Sequence, residues 1–117
     1  MGEEIAVASV FEKPIIVVIV NNAYLGLIRQ NQKGVHGFEY GVDMLYNQDG
    51  RIDYVKVAEG FGCMGERVFT PDDLRAAIAR AKASGKTYII DAICAPDQLC
   101  DMGVNIEVCK SFVDEIQ

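Results

Sequence analysis

The chain has 117 residues, half of them hydrophobic and 24% charged, which is typical of one globular domain and not of a disordered chain. A formal net charge of −6 without any basic stripe excludes nucleic acid as a partner, because nothing is available to neutralise a row of phosphates. No apolar run approaches the roughly 18 residues of a membrane helix. The acidic start at Glu3 and Glu4 lacks the basic segment of a signal peptide. Four cysteines without a CxxC pair favour free thiols in a reduced, cytoplasmic chain.

The first half of the chain predicts a helix, a strand and a second, short helix. The first helix covers residues 3–12 and ends at Lys13-Pro14, because the residue before a proline is pushed out of the helical conformation. Residues 15–20 are all β-branched, which is typical of a parallel strand covered on both faces. The short helix runs from residue 24 to about residue 32, and the glycine-rich stretch 33–50 predicts an irregular loop.

The second half predicts two further helices separated by strands. A helix over residues 53–61 is followed by Gly62, which suits a helix C-terminus, and a short strand covers residues 65–69. Thr70 then offers an N-cap hydroxyl, with proline and two aspartates in the first turn, and Gly85 ends that helix. Residues 88–94 predict another buried strand. A last helix is expected around residues 105–116.

This alternation of helices and strands indicates an α/β fold, namely a partial doubly wound parallel sheet with helices on both faces. The whole chain, residues 1–117, is then one domain or part of one. Three strands make a small sheet. The strand at residues 15–20 is expected to have a neighbour that this chain does not supply.

A candidate ligand site follows the first predicted strand. In open α/β sheets, ligands bind beyond the carboxyl ends of the strands, and Asn21-Asn22 stands at such an end. Amide and backbone carbonyl oxygens are hard ligands suited to Mg²⁺. The same pair is also common where a strand simply ends in a turn, and spacing alone favours that explanation.

Two stretches of sequence resemble a known family. Residues 17–30 read VVIVNNAYLGLIRQ, and residues 54–63 read YVKVAEGFGC, followed by Arg67-Val68-Phe69. These strings resemble the C-terminal, diphosphate-binding domain of thiamine-diphosphate-dependent enzymes, and the glyoxylate carboligases among them in particular. The first string matches the end of the family's thiamine diphosphate motif, which begins with Gly-Asp-Gly and closes with Asn-Asn.

The resemblance implies a role for each residue of this segment. Asn22 would give its side-chain oxygen, and Tyr24 its backbone carbonyl, to a Mg²⁺ ion that bridges the cofactor's diphosphate. The cofactor itself would lie against Asn22, Ala23, Tyr24, Leu25 and Gly26. Leu27 and Ile28 would form part of the wall of the catalytic pocket. For these two, ordinary helix packing is the competing interpretation.

The activity implied by the resemblance is the joining of two glyoxylates, with loss of CO₂, to give tartronate semialdehyde. Some thiamine-dependent decarboxylases carry a glutamate acid/base at the position of Ile28, and an apolar residue there favours a carboligase. An acetolactate synthase-like enzyme is the nearest alternative. A non-catalytic α/β interaction module is the alternative from another class. The family also implies a 2-oxo acid substrate and either a homo-oligomer or a partner chain that carries the missing half of the site.

One departure from the family pattern weakens the implied site. No Gly-Asp-Gly occurs in the 117 residues, and Asp49-Gly50 lies on the wrong side of Asn22 to replace it. The missing aspartate would be a charged Mg²⁺ ligand. We therefore expect binding of thiamine diphosphate and Mg²⁺ to be weak or absent in this chain, and the chain alone to be inactive. His36 is expected to be a solvated loop residue, and Arg29 to form a surface salt bridge.

Overall fold

The structure, a computed structural model, describes residues 2–44 and 52–96. The helix predicted around residues 105–116 lies outside the described residues. The chain separates into two units, of which the first comprises Met1–Asn21 and Asp53–Cys94 and the second comprises Asn22–Ile52 and Ala95–Gln117. The first unit contains the sheet, and the second contains the candidate site.

Eight elements follow one another along the described chain. In order they are α1 (Glu3–Val10), β1 (Ile16–Asn21), α2 (Gly26–Asn31), a π-helical turn (Gln32–His36), α3 (Tyr54–Gly60), β2 (Met64–Val68), α4 (Pro71–Ser84) and β3 (Tyr88–Ile93).

The sheet is parallel and its strand order is β1-β3-β2, so that β3, the last of these strands in sequence, lies in the middle. Ile16 pairs with Tyr88 on one side, and Met64 pairs with Tyr88 on the other. The first five residues of β3 are buried. This composition suits a parallel strand whose two faces are both covered, and it confirms the predicted α/β class.

Helices cover both faces of this sheet. On one face, α4 packs Ala77 and Ala81 against Val68 of β2 and against alternate residues of β3, namely Tyr88, Ile90 and Ala92. On the other face, Ala58 of α3 forms a core with Cys63 and Ile89, and Ile5 of α1 and Val17 and Ile19 of β1 pack against it. The alternation of side chains along β3 therefore supplies both layers.

Helix α4 begins and ends where its sequence predicts. The Thr70 hydroxyl accepts a hydrogen bond from the Asp73 N–H at 3.1 Å, and Pro71 occupies the first helical position. Gly85 closes the helix with a φ of +61°, in the left-handed region that glycine adopts without a steric penalty.

Strand β1 differs from the prediction in its first and last residues and in its burial. It begins at Ile16 and ends at Asn21, one residue later than expected. Its residues alternate between partly covered and exposed, and Val20 is 74% exposed. The expectation that this strand is covered on both faces was wrong for the described residues. The reason is its place at an edge of the sheet, where no β1 residue belongs to the core that α4 forms over β2 and β3.

The segment after β1 also differs from the prediction. Helix α2 starts at Gly26, two residues later than expected, and passes directly into the π-helical turn. The loop predicted from residue 33 was therefore wrong over its first four residues, and His36 belongs to the turn although its side chain is exposed. The glycines that suggested a loop do act as stops, since Gly37 ends the turn with a φ of +69°.

A buried polar network ties the three strands together. Asp91 of β3 has no exposed surface, and its two carboxylate oxygens accept hydrogen bonds from Asn21 Nδ2 and Arg67 Nε, both at 2.8 Å. A second nitrogen of Arg67, Nη2, lies 3.6 Å from Asp53 Oδ1, and Asp53 is the N-cap of α3. Hydrogen bonds to both oxygens compensate for the loss of water around the charge.

Candidate functional site

The candidate site is a tight turn that starts at Asn22, the residue directly after β1. The Asn22 side-chain oxygen Oδ1 accepts a hydrogen bond from the Tyr24 N–H at 3.1 Å. Between them, Ala23 is 6% exposed and has a φ of +61°, a left-handed conformation that non-glycine residues adopt rarely. Short side-chain turns of this kind are the local chemistry of asparagine.

A second segment of the same unit holds the turn from one side. Tyr24 and Asp43 form an antiparallel bridge, in which the Leu25 N–H donates to the Val42 carbonyl and the Met44 N–H donates to the Ala23 carbonyl, both at 2.9 Å. Val42 is 2% exposed, so this contact is buried. Neither bridge bond uses the Tyr24 carbonyl, the atom that sequence analysis assigns to a metal.

Arg29 holds the turn from α2. Its guanidinium carbon lies 4.0 Å from the centre of the Tyr24 ring, which is cation–π geometry. Its Nε donates to Glu39 and its Nη1 donates to the Pro96 carbonyl, each at 2.9 Å. The expected ion pair is confirmed, but with its side chain only 12% exposed, Arg29 is not a surface residue. Hydrogen bonds from Lys33 and Arg29 hold the pKa of Glu39 below its ordinary value.

Gln32 ties the π-helical turn to the following segment. Its side-chain amide forms two hydrogen bonds with the Tyr40 backbone, since Nε2 donates to the Tyr40 carbonyl at 3.1 Å and Oε1 accepts from the Tyr40 N–H at 3.0 Å. Sequence reasoning did not identify this role. In the sequence, Gln32 is a glutamine at the end of a helical pattern, and that pattern alone does not predict its hydrogen bonds to Tyr40.

Gly26 lies against Asn22. A Cβ atom placed on Gly26 would lie 2.6 Å from Asn22 Nδ2, closer than real Cβ atoms approach any neighbour. The Asn22 amide therefore occupies the space that a side chain at residue 26 would take. This close packing is consistent with the amide's oxygen end being held at Tyr24.

The predicted wall residues are all on the surface of the second unit. Leu27 and Ile28 belong to α2 and are 50% and 52% exposed, and the preceding Leu25, which was expected to lie against the cofactor, is 39% exposed. They are apolar residues without cover from the described residues of their unit, as a wall facing a ligand requires. The assignment of Leu27 and Ile28 to the pocket wall stays a prediction.

The oxygen donors fit a hard divalent cation. Asn22 Oδ1 and the Tyr24 carbonyl would give Mg²⁺ two of the six oxygens of its octahedral shell, and cofactor phosphate oxygens, water and a carboxylate supply the others in sites of this type. Among the residues that the structure describes, no group of three or more His, Cys, Asp and Glu side chains is arranged to hold a metal ion.

The fold and this turn define a cofactor-binding domain of one enzyme class. The sequence profile described as "Thiamine pyrophosphate enzyme, C-terminal TPP binding domain" matches residues 1–92, and the chain belongs to this family. A glyoxylate carboligase from Escherichia coli is 37% identical over 96% of the chain, which spans 21% of that enzyme's length. An acetolactate synthase from Mycobacterium leprae is 34% identical over 82% of the chain, which spans 16% of that enzyme.

A solved structure gives the same assignment for the fold. The thiamine diphosphate-dependent 4-hydroxybenzoylformate decarboxylase of Rhodococcus jostii superimposes with a TM-score of 0.72 at 27% sequence identity. The match covers 84% of this chain and 18% of the decarboxylase chain. Within the described residues, no helix combines the length and the apolar character that crossing a membrane requires.

Proposed function

We propose that this chain supplies the Mg²⁺-binding edge of a thiamine diphosphate site in a carboligase that joins two glyoxylates to tartronate semialdehyde with loss of CO₂. When bound, the cofactor supplies the carbon nucleophile for this chemistry. The chain's own part is to hold the cation and the diphosphate and to line the pocket. The remaining parts of the site come from polypeptide outside these 117 residues.

The observation that carries the proposal is the turn at Asn22. Asn22 Oδ1 is fixed by the Tyr24 N–H at 3.1 Å, and a second lone pair on that oxygen remains for a cation. The Tyr24 backbone is held by its bridge to Asp43, and the Tyr24 ring lies against the guanidinium of Arg29. Two oxygens on a segment held in this way would give Mg²⁺ two preorganised ligands of the six in its shell.

The neighbouring residues have supporting roles in this proposal. Ala23 lets the chain turn between the two ligands, and the backbone of Leu25 and Gly26 approaches the diphosphate. Leu27 and Ile28, each about half exposed, exclude water from the reacting carbons. An apolar Ile28 cannot exchange protons, which suits a reaction that ends in a carbon–carbon bond and not in protonation.

Glyoxylate is favoured as the substrate by the share of the chain that matches the glyoxylate carboligase, 96% against 82% for the acetolactate synthase, with somewhat higher identity. An acetolactate synthase-like activity on pyruvate is the second candidate. A non-catalytic interaction module is the third, and the exposed face of β1 is the feature that favours it.

The first test is calorimetric titration of thiamine diphosphate with Mg²⁺ into the purified chain. We expect weak binding or none, because the 117 residues contain no Gly-Asp-Gly segment, whose aspartate would be the charged ligand of the cation. Binding that Asn22→Ala removes, and that the exposed Asn31→Ala retains, would support the assigned metal ligand. Binding that survives Asn22→Ala would contradict it.

A chimaera tests the activity itself. In it, this chain replaces the matching segment of the E. coli glyoxylate carboligase. We expect glyoxylate-dependent release of CO₂ and formation of tartronate semialdehyde, and a loss of about 100-fold or more in rate with Asn22→Ala. Pyruvate offered alone distinguishes the second candidate. A folded chimaera without either activity would favour the interaction module.

A further inference from the structure

Gly26 is a glycine for which the backbone gives no reason. The described glycines with positive φ are Gly37, Gly41, Gly62 and Gly85, and Gly26 is not among them. Gly26 is instead the first residue of α2, a position at which the helical backbone does not require glycine. Among the described residues outside its own helix backbone and its two chain neighbours, only the Asn22 side chain lies near the place of a Cβ, with Nδ2 at 2.6 Å.

We propose that Gly26 is a positioning residue for Asn22: its missing side chain is what allows the Asn22 amide to lie in the orientation that presents Oδ1 at the turn. The importance of that orientation rests on the proposed function, since Asn22 Oδ1 is the proposed ligand of the cation. The geometry of the two residues itself does not depend on a cofactor.

The contacts at the two ends of the amide explain the orientation. Oδ1 faces a donor, the Tyr24 N–H at 3.1 Å, so oxygen and not nitrogen must be at that end. Nδ2 is then directed toward residue 26, where any Cβ would collide with it. Because the amide is the end of a short side chain, a methyl group at residue 26 is relieved by rotation of Asn22 and not by unfolding.

The substitution Gly26→Ala is therefore expected to leave the chain folded while it moves one side chain. Rotation of Asn22 takes Oδ1 away from the Tyr24 N–H, which loses that acceptor. Gly60→Ala is the matched control, because Gly60 also lies in a helix, at the end of α3, and nothing lies within 4 Å of a Cβ placed there.

The test is amide exchange and NMR on the full chain without any ligand. In Gly26→Ala we expect the Tyr24 N–H to exchange about five- to tenfold faster, as loss of one hydrogen bond predicts, and the Asn22 side-chain amide resonances to shift. Gly60→Ala should change neither signal. Unchanged Tyr24 exchange and unchanged Asn22 resonances in folded Gly26→Ala would overturn the proposal.

A double variant covers the case in which Gly26→Ala does not fold. Removal of the colliding amide in Gly26→Ala/Asn22→Ala should then restore the folded spectrum. An unfolded double variant would show that residue 26 needs glycine for some other reason, and would overturn the proposal.

A binding arm separates this inference from the proposed function. In the chimaera with glyoxylate carboligase, Gly26→Ala should raise the Mg²⁺ concentration that gives half-maximal activity about tenfold or more. The double variant should need no more Mg²⁺ than Asn22→Ala alone. A shift in Asn22 without any change in Mg²⁺ dependence would overturn Asn22's assignment as ligand while leaving the packing of Gly26 against Asn22 established.

Discussion

Asp91 shows how much a single residue can contribute to this sheet. The carboxylate lies in the middle strand without exposed surface, and both its hydrogen-bond donors come from the strands on either side. The composition of residues 88–94 predicts a buried strand but no particular role for Asp91. Its two partners, Asn21 and Arg67, are distant in sequence, so no local sequence pattern predicts these hydrogen bonds.

Asp91→Ala is expected to destabilise the chain by about 3 kcal/mol, because it leaves the donors of Asn21 and Arg67 without their buried acceptor. Urea unfolding measures this change. Asp72→Ala, at a position whose side chain is 91% exposed, serves as the control and should stay within about 0.5 kcal/mol of the parent. A cost below 1 kcal/mol for Asp91→Ala would show that water replaces the carboxylate.

Glu66 gives the stability a dependence on pH. Hydrogen bonds from Arg80 and then from the Tyr88 hydroxyl hold the pKa of Glu66 below its ordinary value of 4.5, against the opposing effect of partial burial. A carboxyl whose pKa is lower in the folded state stabilises the fold above its unfolded pKa. That contribution is lost as the pH falls through the folded pKa.

We therefore expect Glu66→Gln to lower the free energy of unfolding by about 0.5 kcal/mol at pH 7 and to change it little at pH 3. The expected effect is small because the Arg80 side chain is 55% exposed and water screens its interaction with Glu66. Urea midpoints of the parent and the variant, measured between pH 3 and pH 7, check this. A difference that is the same at both ends of the range would contradict the assigned cause.

At the scale of elements, the helices that depend on local chemistry are the ones that sequence predicts. α4 has its N-cap, its proline and its closing glycine within its own segment, and both its ends are confirmed. α2 has no side-chain cap, and it continues into a π-helical turn whose Gln32 is bonded to Tyr40. Because that partner lies outside the helix, the turn could not be predicted from the pattern of residues 24–36.

The same contrast applies to the candidate site. Asn22 and Tyr24 were identified through resemblance, and the structure brings them together by one hydrogen bond. The stacking of Arg29 on Tyr24 and the left-handed Ala23 were not predicted. Both depend on how the turn is held by residues 42–44, which no spacing within the motif encodes.

The packing of α3 against β2 depends on a small residue. A Cβ at Gly65 would lie 3.1 Å from the Ala58 Cβ and 3.4 Å from the Ile89 carbonyl. We expect Gly65→Val to cost about 2 kcal/mol, since an overfilled core must shift a helix and a strand. Met64→Val places the same side chain on the adjacent residue, which is 41% exposed, and should be nearly neutral in thermal unfolding. Equal melting temperatures for the two variants would contradict this packing argument.

At the scale of the whole molecule, the edge strand β1 is more exposed than the middle strand β3. In the described part of the chain, β3 is the only strand that pairs with β1, and Ile16, Val18 and Val20 are exposed on one face of β1. An unpaired strand edge beside apolar side chains favours association with another strand. A neighbouring strand for β1 that this chain does not supply stays a prediction.

Val20→Lys is expected to reduce self-association of the purified chain without loss of stability, because the residue is 74% exposed and a charge on a strand edge opposes pairing. Sedimentation equilibrium measures the association. Phe69→Lys is the control, since Phe69 is 69% exposed and follows β2 at the opposite edge. An equal effect of the two substitutions would indicate nonspecific hydrophobic association and not strand pairing through β1.

The position of β3 has a consequence for biosynthesis. The strand in the middle of the sheet is the last of the three described strands to leave the ribosome. Neither β1 nor β2 can pair before then, because Ile16 and Met64 both pair with Tyr88. Until then, β1 and β2 lack the described strand that pairs with both of them, and such late, long-range pairing is slow and prone to aggregation. Chaperone protection during translation should therefore matter more for this chain than for a helical domain of the same length.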